Sequence, residues 1–262
     1  MPTLAEIVSG FDPAAEFVVP CEWTQGRTAY GGLTAAMSVL TAQRTDGDPL
    51  PPLKSAHFLL SAPVTDTATF AARRLREGRS ASSVHVETVS GGQVAAHASL
   101  VFARPRPSAI AHDHVEPPSV SEPDRCPPFG DSDAPLRPAF VDNVEMVRAG
   151  GTVPLAGEHP PRFLAWVRHR GAEGVDPTIA LVALADALPP ATTAAFTEWA
   201  PVSTMNWSVH VCTDRLPKPT DWMLLESQST FTGDGYSYQS MTLWDSELRP
   251  IIQGSQTAAV FA

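Results

Sequence analysis

The chain has 262 residues, 43% of them apolar, and a formal net charge of −10. That length holds one large core or two modest ones, and an acidic balance without a long basic tract argues against nucleic-acid or anionic-membrane binding driven by phosphate contacts, while local basic patches are still allowed. Cys21, Cys126 and Cys212 lie far apart without metal-ligand spacing, so a reducing, cytoplasmic setting with no disulfide and no structural zinc is expected.

The first residues, Met1 to Glu6, lack a basic n-region and an apolar h-region. Ile179 to Ala185, the longest apolar run, is too short to cross a bilayer, so neither an export signal nor a membrane span is expected. After this short polar start the pattern predicts a strand at Phe17-Val18-Val19-Pro20, leading through Gly26 into Tyr30-Gly31-Gly32. From Leu33 the period is helical, with Leu33, Ala36, Met37 and Leu40 on one face, and it stops near Thr45 before Asp46-Gly47-Asp48-Pro49. Four β-like runs follow near 54–61, 67–76, 80–90 and 93–103, with Glu77-Gly78 and Ser90-Gly91-Gly92 as turns.

Between Pro105 and Pro138 stand nine of the chain's 26 prolines, with no sustained period, which reads as a linker. Strands resume near 141–147 and 162–169. Asp176-Pro177 then supplies an N-cap and first position for a helix that Pro189-Pro190 closes. Strands near 203–212, 221–231, 235–244 and 249–261 complete the chain. Helix then meander thus occurs twice, giving a first unit over 1–104, a Pro-rich linker over 105–138 and a second unit over 139–262.

Gly78 to Ala103 and Gly235 to Ala262 read as copies of one unit. Gly78, Ser80 and Ser83 match Gly235, Ser237 and Ser240, and both copies end on Val-Phe-Ala, the second with a loop two residues longer. Aligned on that tripeptide, His97 pairs with Gln256.

One helix beside a curved antiparallel sheet, present twice, is an α+β architecture. Gly26-Arg27-Thr28-Ala29-Tyr30-Gly31-Gly32, Leu75-Arg76-Glu77-Gly78-Arg79-Ser80 and three polar positions in the second half carry a further likeness. In these stretches the chain resembles the double-hotdog acyl-CoA thioesterases of the bacterial thioesterase II type. That resemblance implies two tandem units, each a curved antiparallel sheet wrapped around a central helix, an acyl-CoA substrate and no cofactor.

Asp186 falls four residues after Val182 and seven after Ile179, on the apolar stripe of the second helix. A buried unpaired carboxylate is costly, so it is either functional or solvated at the helix end. Gln256 shares a strand face with Ile252, Gly254, Ala258 and Val260, as a satisfied core amide or a functional one. Thr204 alternates onto a polar face with Asn206, Ser208 and His210. In the family an aspartate on the second helix, a serine or threonine on the next strand and a glutamine on the last strand act together. Asp186, Thr204 and Gln256 match them in type and order, and the resemblance implies that they bind and activate one water.

Backbone N–H groups of Gly31 and Gly32, at a helix N-terminus, are candidate oxyanion donors, with close packing as the alternative. Asn206-Trp207-Ser208 and Thr257-Ala258 replace the family's commoner Asp-His-Ser and Glu-Gly, so the residues around the triad differ. Arg73, Arg74, Arg76 and Arg79 form the densest positive cluster, where Arg76 and Arg79 are candidates for coenzyme A phosphates or a solvated strand edge. His112-Asp113-His114 lacks a third ligand at useful spacing, and no metal site is expected.

No Gly-x-Ser-x-Gly elbow occurs, which excludes a serine hydrolase of that type. The alternatives to a thioesterase are an acyl-CoA-binding hotdog protein without turnover and an enoyl-CoA hydratase, the latter weakened by the lack of a histidine closely following Asp176 or Asp186. Sheets of this kind leave edges and faces that pair, so a homo-oligomer is expected.

Overall fold

The structure is a computed structural model that describes residues 1–45, 48–130 and 137–262. The expected turn at Asp46-Gly47 and residues 131–136 of the expected linker lie outside the described residues. Instead of a polar coil, the chain opens with a helix, α1 (Leu4–Gly10). Its signal is Thr3-x-x-Glu6: the Thr3 hydroxyl accepts from the Glu6 N–H at 3.2 Å while the Glu6 carboxylate accepts from the Thr3 N–H at 2.8 Å. This reciprocal box satisfies two backbone donors that a helix start otherwise leaves orphaned.

A two-residue strand β1 (Phe17–Val18) and the small hairpin β2 (Thr24–Gln25) and β3 (Thr28–Ala29) lead into α2 (Gly31–Arg44). Every residue of α2 from Gly32 to Ala42 is buried. Its hydroxyls are satisfied within the helix, Ser38 donating to Thr34 O at 2.9 Å and Thr41 to Met37 O at 2.8 Å. The meander β4 (Leu53–Leu60), β5 (Thr67–Glu77), β6 (Ala81–Ser90) and β7 (Gln93–Ala103) follows close to the expected bounds.

Residues 104–122 form neither helix nor strand and are mostly exposed, with contacts to the body of the protein near their end. The Trp166 indole donates to Ser121 O at 2.9 Å, and Val115, Val120 and Cys126 cover a small apolar cluster of Leu164, Trp166, Leu224 and Trp244. A 3-10 turn at Ala139–Asn143 takes the place of the start of the expected strand, so β8 runs over Val144–Gly151. Then come β9 (Arg162–His169), α3 (Pro177–Ala185), β10 (Val202–Val211), β11 (Met223–Gly233), β12 (Tyr236–Trp244) and β13 (Pro250–Val260).

The strands join into one eleven-stranded sheet in the order β1-β5-β6-β7-β4-β10-β13-β12-β11-β9-β8. The core of this order reads the same from either end, as two like units pairing edge to edge require. At the seam Trp207 of β10 pairs with Phe58 of β4, their rings 5.2 Å apart and stacked. On the inner face α2 packs against β5, β6 and β7, and α2 and α3 pack on each other. Among the described residues, no helix is long and apolar enough to cross a membrane.

Two expectations are corrected here. The helix α3 is buried all round from Ile179 to Ala185, so it has no apolar stripe, and it ends before Asp186, which is its C-cap at ψ 12°. The alignment of the two copies on Val-Phe-Ala is out of phase: Phe102 is fully buried whereas Phe261 is 65% exposed. His97 accordingly lies on the outer face and Gln256 on the inner one, so they are not equivalent positions. A slip of one residue moves a strand's side chains to the opposite face.

Candidate active site

The site forms where the start of α2 meets the end of α3. A helix ends with orphan carbonyls, and one of these, Ala183 O, accepts from the buried Tyr30 hydroxyl at 2.6 Å. Phe140 stacks on the Tyr30 ring at 3.9 Å and fixes it there. Gly32 makes this approach possible, because a Cβ at that position would overlap Ala183 O and stand 2.5 Å from the Tyr30 ring. A Cβ on Gly31 would lie 2.6 Å from Asp186 Oδ2. The glycine pair thus allows close packing of helix against helix, where helix–strand packing was one expectation.

Asp186 therefore sits at the N-terminal end of α2, where the helix dipole favours negative charge. Gln256 Nε2 donates to its Oδ1 at 2.7 Å, and the nearby Gly32 N–H also favours its charged form. Burial nonetheless dominates: it raises Asp186 to about 7, against the lowering by the Gln256 amide and the Gly32 N–H. Asp186 keeps partial solvent exposure, so water can reach the residue. Burial, and next the Asp186 charge, push the Tyr30 phenol well above its usual range, so it remains a neutral donor.

The orientation of Gln256 follows from a chain of donors. Ala191 N–H can only donate, and it binds Gln239 Oε1 at 2.6 Å. This leaves Gln239 Nε2 to donate to Gln256 Oε1 at 2.6 Å, which turns Gln256 Nε2 toward Asp186. Gln239 is absent from the expected site. Its signal is cross-strand: it stands directly opposite Gln256 in the β12–β13 register, which residue order alone does not reveal.

Thr204 reaches the inner face through a β-bulge. Thr204 pairs with Ala258 while Asn206 pairs with Thr257 and Trp207 with Gln256, so Met205 is the extra residue. Simple alternation placed Thr204 with Asn206 and Ser208; the bulge reverses its parity and puts it on the side of Ala258 and Gln256. No hydrogen bond joins its hydroxyl to Asp186 or Gln256 among the described residues.

The structure thus brings together Asp186, Gln256, Gly31 and Gly32, and turns Thr204 toward them. Arg76 and Arg79 are exposed at the β5–β6 hairpin. Among the described residues no hydrogen bond or salt bridge joins Arg76 or Arg79 to Asp186 or Gln256.

Gln239→Leu leaves Gln256 Oε1 and Ala191 N–H without partners. It is expected to cost about 1–3 kcal/mol of stability in denaturant melts.

Fold and site together define the chain as a double-hotdog protein with a carboxylate held between the ends of its two central helices. Its residues 19–103 match the model of the acyl-CoA thioesterase N-terminal domain, and residues 123–260 match that of the acyl-CoA thioesterase C-terminal domain. The chain belongs to the acyl-CoA thioesterase family. Among solved structures it is similar to a hot dog fold protein of unknown function from Alicyclobacillus acidocaldarius, with TM-score 0.84 and 21% identity over 94% of this chain and 92% of that one. It is also similar to acyl-CoA thioesterase II TesB2 from Mycobacterium marinum, with TM-score 0.74 and 20% identity over 94% of this chain and 93% of that one. At such identities these likenesses speak to the fold. No curated protein matches the sequence.

Proposed function

We propose that the chain hydrolyses acyl-CoA thioesters to the free acid and coenzyme A, with Asp186 as general base. The observation that carries this reading is the Asp186 carboxylate, held by Gln256 beside Gly31 at the N-terminus of α2, where burial raises it to about 7. A base poised near neutrality suits proton abstraction at physiological pH, and only its ionised form acts.

In this mechanism a water lies between the Asp186 carboxylate and the Thr204 hydroxyl, with the second Gln256 amide proton free to orient it. Asp186 takes a proton as the water oxygen bonds to the thioester carbonyl carbon. The Gly31 and Gly32 N–H groups at the start of α2 are assigned to the developing oxyanion. The C–S bond then breaks, the carbonyl re-forms, and the proton on Asp186 passes to the departing thiolate. No covalent acyl-enzyme is required. Arg76 and Arg79, exposed at the β5–β6 hairpin, take no part in the bond-breaking steps and remain candidates for the coenzyme A phosphates.

The test is release of free thiol from acyl-CoAs of several chain lengths by the purified protein, alongside Asp186→Asn and Gln256→Ala. Hydrolysis by the parent with loss in both variants is expected. Turnover that survives both substitutions sinks the proposed site, and tight binding without thiol release makes the chain an acyl-CoA-binding protein.

A further inference from the structure

The outer face of the sheet carries a cluster that the thioesterase reading does not use. His85 and Glu87 lie two residues apart on β6 and so point the same way, and His97 of β7 stands directly opposite Glu87. One ligand atom from each of the three lies within 4.8 Å of the others, and all three are partly buried. Val84, Val86 and Ala98, their neighbours on these strands, are buried on the inner face. The sheet therefore separates this cluster from Asp186 and Gln256.

His97 Nδ1 and His85 Nε2 are 3.3 Å apart, with the rings tilted by 30°. As a hydrogen bond between two imidazoles this is long. It equals the separation of two nitrogens bound to one tetrahedral zinc, about 3.3 Å for Zn–N bonds of about 2.05 Å. Among the described residues Glu87 forms no salt bridge, so its oxygens are available as a third donor. Around the cluster the β5 and β4 partners are Arg73 opposite His85, Ala71 opposite Glu87 and Leu59 opposite His97. Arg73 is exposed, so its long side chain can keep its charge in solvent.

From this geometry we infer that His85, Glu87 and His97 bind one divalent transition cation of the zinc type, with a fourth position open to water. Two imidazoles and a carboxylate suit borderline metals over magnesium or calcium, which favour all-oxygen sites. The cation would clasp β6 to β7 on the face away from the helices. Spacing in the sequence hid the cluster, because its third ligand becomes a neighbour only through the β6–β7 register.

The experiment is titration of the metal-stripped full chain with ZnCl2 by calorimetry, and with CoCl2 by visible absorption. One equivalent per chain, a tetrahedral cobalt spectrum and a zinc-dependent rise in unfolding temperature are expected. His85→Gln, Glu87→Gln and His97→Gln are each expected to weaken binding at least tenfold, while the double variants His57→Gln/His210→Gln and His112→Gln/His114→Gln leave it unchanged. Circular dichroism reports whether each variant keeps its fold, and three independent ligand variants let a folded one decide. Absence of saturable binding, or binding that is lost with His112 and His114 but kept without His97, overturns the inference.

Discussion

Asp186→Asn is expected to lower kcat/KM for acyl-CoA hydrolysis by about 10³-fold, within the range that general-base catalysis supplies. The sign of the pH dependence follows from the base being active only when ionised. With the carboxyl at about 7, the parent rate falls about tenfold per pH unit well below neutrality and levels off above it. Residual activity of the variant loses that acid limb. Because the Gln256 amide lowers the Asp186 pKa, Gln256→Leu is expected to move the inflection upward, which separates its positioning role from simple loss of protein.

Linkage adds a stability signature to the same substitution. The folded-state value lies above that of an unfolded carboxyl, so ionisation of Asp186 opposes folding, and the cost grows as pH rises toward and through 7. About three pKa units correspond to about 4 kcal/mol as an upper bound, reduced by the residue's partial exposure. Asp186→Asn is accordingly expected to melt above the parent at pH 8, with the gap narrowing toward pH 5. A parent whose rate and melting temperature are both flat from pH 5 to 8 contradicts a base of this kind.

The two glycines at the start of α2 are expected to behave differently from each other. At Gly32 an added methyl meets a backbone oxygen, Ala183 O, and the Tyr30 ring that binds it. Neither yields without parting the helices, so Gly32→Ala is expected to cost about 3 kcal/mol or more in a denaturant melt. At Gly31 the methyl meets the end of the Asp186 side chain, which can turn aside. Gly31→Ala is expected to fold nearly as well as the parent and to lose at least tenfold in kcat. Gly32→Ala melting with the parent argues against contact between the helix ends, and full activity in Gly31→Ala argues against the carboxylate being held beside that glycine.

Much of the fold was legible because helices and strands write their period into consecutive residues. The strands at 67–77, 93–103 and 162–169 fell within a residue of their expected bounds. The Thr3-x-x-Glu6 capping box is equally local, but no long apolar period follows it to mark a helix. Asp186 and Gln256 also stood out as polar side chains that burial leaves in need of partners. What kept Asp186 from being placed correctly was α3 itself: apolar on every side, it offers no stripe to measure an angle from.

Residue order alone carries the two central helices, the meander that follows each, and the identity of the polar groups that the core must satisfy, all of which depend on local periodicity and on the cost of burying charge. Which of them meet depends on the folded arrangement. The Met205 bulge put Thr204 on the inner face, and an out-of-phase repeat left His97 outside it. Gln239 was joined to Gln256 across 17 residues and Gln256 to Asp186 across 70. Strand parity and register determine those contacts, and a single inserted residue reverses them without altering the composition on either side.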